Sequence, residues 1–250
     1  MQQINFQRPE KATTQGNGEI LLIHSVFFTI QGEGPNVGKP AVFVRLGGCN
    51  LQCPGCDTDY THGVANEHIE SIVTRIGMAF GDYKGERLVV ITGGEPFRQE
   101  LERFINSLFR LGYVVQIETN GTLGFREPEE LTFFARRFLQ IVVSPKAGKV
   151  AESLYPWITA YKYVLDIVHI DPKDGLPTSA LGMPAAPARP HAGFFGDVYV
   201  QPADEPKEEE FEDVGAINRA NDDNLEACIQ VAKKFGYRVC IQTHKILGVA

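Results

Sequence analysis

Read for polarity alone, the chain alternates short apolar runs with longer amphipathic ones. Leu21 to Ile30 and Ala41 to Leu46 are rich in β-branched and aromatic residues and predict strands. Leu88-Val89-Val90-Ile91 is continuously apolar, as expected of a strand covered on both faces of a parallel sheet. Tyr113 to Ile117, Leu139 to Val143, Tyr161 to Leu165, Val198 to Val200 and Arg238 to Ile241 predict further strands. Between them, Glu67 to Phe80 carries Ile69, Ile72, Val73, Ile76 and Phe80 at helical spacing, and Gln99 to Leu111 carries Leu101, Phe104, Ile105, Leu108 and Leu111 in the same way. Pro128 to Phe138, opened by a proline suited to a first turn, and Asn224 to Phe235 predict two more helices. Strand then helix, repeated, implies an α/β fold with a parallel sheet and right-handed crossovers.

Three stretches leave that rhythm. Residues 1–19 read as a polar, partly mobile arm, ahead of a single core domain over 20–250. Residues 169–196 contain Pro172, Pro177, Pro184, Pro187 and Pro190 and read as a surface insertion. The acidic stretch Asp204 to Asp213 reads mostly as a solvated face.

The polar punctuation is the more informative half of the pattern. Thr92-Gly93-Gly94-Glu95-Pro96, Glu118-Thr119-Asn120-Gly121, Ser144-Pro145-Lys146, Gln201-Pro202-Ala203-Asp204 and Gln242-Thr243-His244-Lys245 each follow the carboxyl end of a predicted strand. In a parallel barrel those ends share one face, which is where such folds bind ligands. Arg45 interrupts the second apolar run, so its charge must reach solvent, an acid or an anionic ligand. Gly93 and Gly94 let backbone approach a ligand, and Glu95 could accept from an ammonium, although taken alone this is also an ordinary turn.

The second predicted strand leads into Cys49, Cys53 and Cys56, spaced Cys-x3-Cys-x2-Cys, with Pro54 and Gly55 bending the chain between the last two. Three thiolates fill three corners of a four-iron cluster and leave one iron open to a non-protein ligand. The alternative is zinc, which wants a fourth ligand such as His62. Cys228 and Cys240 lie in apolar contexts and read as core packing. A net charge of −7 argues against a general binder of nucleic-acid backbone. No run is apolar enough to span a bilayer, the first residues lack a secretory signal stretch, and clustered thiols fit a reducing cytoplasm.

The cysteine spacing together with Gly93-Gly94-Glu95-Pro96 resembles the radical S-adenosylmethionine (SAM) enzymes. Adding Gln31-Gly32-Glu33-Gly34, Cys56-Asp57-Thr58-Asp59-Tyr60, Glu118-Thr119-Asn120-Gly121, Val143-Ser144-Pro145-Lys146, Gln201-Pro202 and Gln242-Thr243-His244-Lys245, in that order, the chain resembles the 7-carboxy-7-deazaguanine synthase family. The resemblance implies a trimmed, partial (β/α)6-type radical SAM barrel, here with the proline-rich insertion. It implies conversion of 6-carboxy-5,6,7,8-tetrahydropterin to 7-carboxy-7-deazaguanine with loss of ammonia, toward queuosine and related nucleosides. It implies a homodimer, a 4Fe-4S cluster on Cys49, Cys53 and Cys56, and Mg2+ on Thr58. It implies S-adenosyl-L-methionine contacts at Gly94, Ser144, Pro145, Lys146, Gln201, Pro202, Ala203 and Asp204. Substrate contacts fall on Ile30, Gln31, Gly32, Arg45, Thr92 and the terminal carboxylate of Ala250, with Glu33, Glu95, Glu118 and His244 as further contacts to substrate or cofactor. An external flavodoxin or ferredoxin would supply electrons. The insertion, the acidic run and the short cysteine spacing depart from some relatives. Other readings are an activase that installs a glycyl radical, an electron carrier, and a zinc- or cluster-stabilised interaction protein.

Overall fold

The strands assemble into one nine-stranded sheet. In chain order they are β1 (Ile20–Ile30), β2 (Pro40–Leu46), β3 (Ala65–His68), β4 (Leu88–Gly93), β5 (Val114–Thr119), β6 (Leu139–Val143), β7 (Ile158–Leu165), β8 (Asp197–Pro202) and β9 (Arg238–Val239). Among the described residues the complete helices are α1 (Ile69–Phe80), α2 (Glu102–Arg110), α3 (Val214–Phe235) and α4 (Thr243–Leu247). The structure, a computed structural model, describes residues 4–12, 17–124, 137–204 and 214–249. All but the last two residues of the helix predicted at Pro128 to Phe138, and most of the acidic run, therefore lie outside the described residues; residues 137 and 138 are helical.

The sheet order is β3-β1-β2-β4-β5-β6-β7-β8-β9. Strands β3, β1 and β2 pair antiparallel; from β2 onward every pair is parallel, and from β4 onward each neighbour is also the next strand in sequence. That is the order of a coiled (β/α) barrel wall. The crossover from β6 to β7 has only a 3-10 turn (Glu152–Trp157), and the one from β7 to β8 has no helix, so the barrel is trimmed.

Alternation along the strands sorts the side chains. Val42, Val44 and Leu46, Val89 and Ile91, Val115 and Ile117, Ile141 and Val143, and Tyr161, Tyr163 and Leu165 pack with Ile72, Ile76, Phe104 and Leu108 of the helices in the main core. The alternate positions face the concave side. There a small apolar floor of Ala41, Leu88, Val90 and Val114 gives way to polar residues toward the carboxyl ends.

Several boundaries differ from the sequence expectation. Helix α1 starts at Ile69, because Ala65–His68 instead pairs with β1, a tertiary pairing with no local signal in Ala-Asn-Glu-His. Strand β5 runs on through Thr119, β7 begins at Ile158, β9 stops at Val239, and α3 begins at Val214. The segment after β9 forms α4, which composition did not suggest.

The arm and the insertion are both docked. Within the arm, Asn5 is buried. Within the insertion, Leu176 and Ala180 are buried, the Tyr163 hydroxyl donates to Ala188 O at 2.7 Å, and Arg189 Nε donates to Asp174 at 2.7 Å. Phe194 stands edge-on to Tyr161 at 4.9 Å, and His191 stacks on Tyr155 at 4.3 Å. The insertion covers the outer face of β7, the place a crossover helix would have taken.

Candidate active site at the carboxyl edge of the sheet

The cysteine loop leaves β2 at Gly47 and is held on its sheet side by the turn after β4. Glu95 N donates to Gly48 O at 3.0 Å, and Arg98 donates to Gly47 O at 3.3 Å. A Cβ on Gly94 would lie 1.8 Å from Gly48 O, so only glycine allows the two turns to touch. Asn120 donates to Asn50 Oδ1 at 2.9 Å, which ties the loop to the end of β5. The opposite side is held by the arm. Ile4 N and Asn5 N donate to Pro54 O, Asn5 Nδ2 to Cys53 O at 3.1 Å, Gln7 Nε2 to Thr58 O at 2.8 Å, and Glu10 N to Cys49 O at 2.7 Å. The insertion adds Leu181 O, which accepts from Gly55 N at 3.0 Å.

Beside this loop opens a cavity of about 330 Å3. It brings together Ile30, Gln31, Glu33, Arg45, Cys56, Thr58, Thr92, Glu118, Ser144, Lys146, Gln201, Pro202, Asp204 and His244. Most of the residues singled out in the sequence thus share one wall. Cys49, Cys53, Gly32, Gly94, Glu95, Pro145 and Ala203 do not line it. Ala250 lies outside the described residues.

Several residues outside the lining, and Asp204 within it, have structural work. Glu95 is fully buried, and its carboxylate accepts from Phe97 N, Thr119 Oγ1 and Asn120 N at 3.0, 2.7 and 2.7 Å. It brackets the ends of β4 and β5, and its implied role as a ligand acceptor would have to use a lone pair left over from these bonds. Gly32 makes room for His244, whose Nδ1 would sit 2.0 Å from a Cβ there. Ala203 donates to Leu165 O at 2.7 Å and accepts from Asn224 at 3.0 Å. Asp204 is paired with Lys245.

The loop 31–36 crosses the concave face of the sheet. Asn36 donates to Gln116 Oε1 at 2.7 Å and to Gln140 Oε1 at 2.5 Å. Gln31 and Gln116 both donate to Glu118 Oε1 at 2.9 Å, and Thr92 Oγ1 donates to Glu118 Oε2 at 3.4 Å. Lys162 forms a buried ion pair with Glu33, and Gln242 donates to the other Glu33 oxygen at 2.7 Å. Gly34 N donates to Cys240 Sγ at 3.2 Å, and Thr243 N to Gly32 O at 3.2 Å, so the last strand and α4 are latched to the same loop. Arg45 lies over the Phe27 ring at 5.0 Å, with no carboxylate in ion-pair range among the described residues.

Lys162 and Gln242 line the cavity without having been assigned a role from the sequence. A lysine within the apolar run Tyr161 to Leu165 is the same signal that singled out Arg45, and it was there to be read.

Burial dominates the electrostatics. It pushes the Cys49 thiol to about 12 and the Cys53 thiol to about 11, and raises Cys56. Buried thiols of this kind ionise when a metal supplies the compensating charge, so the donor set suits iron. Among the described residues no three His, Cys, Asp or Glu side chains stand close enough to share one ion. A four-iron cluster takes one thiolate per iron and needs no such convergence. Burial would raise Glu33, but the Lys162 ammonium outweighs it and holds this carboxyl low. Burial lowers Lys146 to about 8, and its ammonium donates to Ser144 Oγ at 2.5 Å. Burial likewise lowers His244. Burial raises Glu95 to about 7.

No family model matches the chain. It is 40% identical over 250 residues to the 7-carboxy-7-deazaguanine synthase of Rhodospirillum rubrum, covering 98% of this chain and 99% of the relative. It is 35% identical over 250 residues to the protein of the same name from Rickettsia prowazekii, covering 96% and 94%. The crystal structure of QueE from Escherichia coli superposes with a TM-score of 0.62 at 22% identity, over 89% of this chain and 94% of that one, a likeness of fold.

Proposed function

The chain belongs to the 7-carboxy-7-deazaguanine synthases, and from that premise we propose how its carboxyl-edge site works. It is a lyase that converts 6-carboxy-5,6,7,8-tetrahydropterin to 7-carboxy-7-deazaguanine with loss of ammonia, on the way to queuosine. The observation that carries the site assignment is that the cysteine loop opens into the cavity lined by the strand-end motifs: Cys56 and Thr58 share its wall with Arg45, Thr92, Glu118 and His244.

Cys49, Cys53 and Cys56 would hold a 4Fe-4S cluster, which together with S-adenosylmethionine would supply radical chemistry for hydrogen abstraction from the pterin. The protein's share is positioning and exclusion of water. Arg45, free of an acidic partner among the described residues and supported by Phe27, offers a forked donor to the substrate carboxylate. Glu33 and Glu118 offer acceptors to the N–H groups of the pyrimidine edge. Ser144, Lys146, Gln201 and Asp204 lie on the same wall and suit the polar groups of the cofactor. Thr58 Oγ1 stands 3.3 Å from Asp57 Oδ1, and both line the cavity. A threonine hydroxyl alone is a weak ligand for Mg2+, and the neighbouring carboxylate with substrate oxygens makes a bridging site reasonable there. The working form in this reading is a cytoplasmic homodimer reduced by a flavodoxin or ferredoxin. No described helix is long and apolar enough to cross a membrane.

An anaerobic turnover assay tests the reading. Reconstituted, reduced protein receives 6-carboxytetrahydropterin with and without S-adenosylmethionine and Mg2+, and products are read by mass spectrometry. The expected product is 7-carboxy-7-deazaguanine, dependent on both additions. Appearance of 5′-deoxyadenosine without the deazapurine would overturn the substrate assignment, and absence of iron uptake would overturn the cysteine assignment.

A further inference from the structure

We propose that Lys162 is a positioning and specificity residue of this site: its ammonium fixes the Glu33 carboxylate as the acceptor for the donor edge of the substrate's pyrimidine ring. This rests on the substrate reading above and names a residue it did not use. Lys162 projects from the middle of β7 into the concave side, only 7% exposed, and its ammonium meets Glu33 Oε2. Gln242, from the turn before α4, donates to Glu33 Oε1, and Gln31 Oε1 accepts from Glu33 N at 3.1 Å. The carboxylate is thus gripped by two side chains distant in sequence, Lys162 and Gln242, while the Gln31 bond fixes its backbone, and it lines the cavity.

Stability alone does not account for this pair. Burying a lysine and a glutamate together is often no better than filling the space with apolar side chains. The same concave face is filled that way by Ala41, Leu88, Val90 and Val114. The pair stands where that floor meets the ligand cavity.

The chemistry of the substrate supplies a use. A 2-aminopyrimidin-4-one edge presents two adjacent N–H donors, which a carboxylate matches. A carboxylate offers about four lone-pair positions, and Lys162 and Gln242 engage two of those on Glu33. A site built around such an acceptor rejects analogues lacking the donor, because the remaining lone pairs of the buried carboxylate are then left unmet.

The test combines equilibrium binding and kinetics. Calorimetry measures binding of the pterin to reconstituted protein without reductant, so that no turnover occurs, and steady-state assays give KM and kcat. The lysine variant Lys162→Met is expected to weaken pterin binding and raise KM at least about tenfold, the scale for losing one partner of a buried charge pair. Affinity for S-adenosylmethionine should stay within about twofold, because its implied contacts are other residues. The variant Glu33→Gln should act in the same direction, and the double variant should be no worse than the poorer single one, the signature of two residues acting as a unit. Lys162→Arg should recover most of the affinity. The wild type should prefer the pterin over its 2-oxo analogue, and Lys162→Met should narrow that preference. Unchanged pterin binding in Lys162→Met, or effects that multiply in the double variant, would overturn the proposal. Should Lys162→Met fail to fold by thermal unfolding, Lys162→Arg and Glu33→Gln decide: equal loss in both overturns it, and loss confined to Glu33→Gln supports it. A wild type that makes no deazapurine speaks against the substrate reading instead.

Discussion

The cysteine loop is gripped from two sides by regions of opposite character. On the sheet side the grip comes from Gly94, Glu95, Arg98 and Asn120, at the ends of regular strands. On the outer side it comes from Ile4, Asn5, Gln7, Glu10 and Leu181, in segments with no regular structure. The first grip is built from glycine turns whose place follows from strand order. The second is built from backbone groups and two side-chain amides bonding to loop carbonyls, which need only reach and burial. Regular structure presents the loop, while irregular chain seals it.

The largest effect should come from removing what both grips hold. Cys53→Ala should abolish iron uptake and turnover together, read by iron content per chain and by product formation. Apo stability should change by no more than about 1 kcal/mol, since a small side chain leaves a small cavity. A collapse of the apo fold would mean the loop is a folding element and not a presented site.

Glu95 sharpens the sheet side. It is the acceptor for three buried donors on two strand ends, so Glu95→Ala should cost on the order of 3 kcal/mol by urea unfolding of the apo protein. Its acidity gives a second handle. Burial raises its pKa from 4.5 to about 7, so between those values the folded state holds a proton that the unfolded state has lost. This contribution to stability is full below about pH 4.5 and is lost as pH rises through about 7, a change on the order of 3 kcal/mol. Glu95→Gln should flatten that part of the stability profile, and a profile identical to wild type would refute the assignment.

How far the sequence foretold each region follows from the same physics. The strands of the barrel wall were readable because burial on a sheet imposes a period on the chain, and Arg45 stood out against it. The motifs at strand ends were readable because glycine and charged residues mark where that period stops. The strand at Ala65–His68, helix α4 and the docking of Asn5 had no such mark, since each depends on a partner far away in sequence. Lys162 lies between, visible as a charge in a core strand but meaningful only once Glu33 is seen beside it.

Asn5 tests the outer grip. Its side-chain amide bonds to Cys53 O at 3.1 Å and to the Tyr60 hydroxyl at 3.2 Å, and it is only 2% exposed. Asn5→Ala should cost about 2 kcal/mol locally, the usual cost of buried polar groups left unpaired. The expected outcome is faster loss of iron to a chelator, by roughly tenfold, with kcat of freshly loaded enzyme nearly unchanged. If iron is lost at the wild-type rate, the arm is only a cover.

Arg189 gives the smallest effect and the finest division of the outer side. It forks onto Asp174 through bonds of 2.7 and 3.2 Å and donates to Pro177 O at 2.8 Å, which ties the insertion to itself. The side chain is 31% exposed, so solvent screens the pair and Arg189→Ala should cost about 1 kcal/mol or less in global stability. Leu181, which bonds to the cysteine loop at Gly55, follows Asp174 by a few residues only. If the insertion grips the loop as the arm does, loosening it should also hasten iron loss, by less than Asn5→Ala because one backbone bond is involved and not several. If iron loss is unchanged while stability falls, the insertion stands in for the missing crossover helix of β7 alone, and the outer grip belongs to the arm.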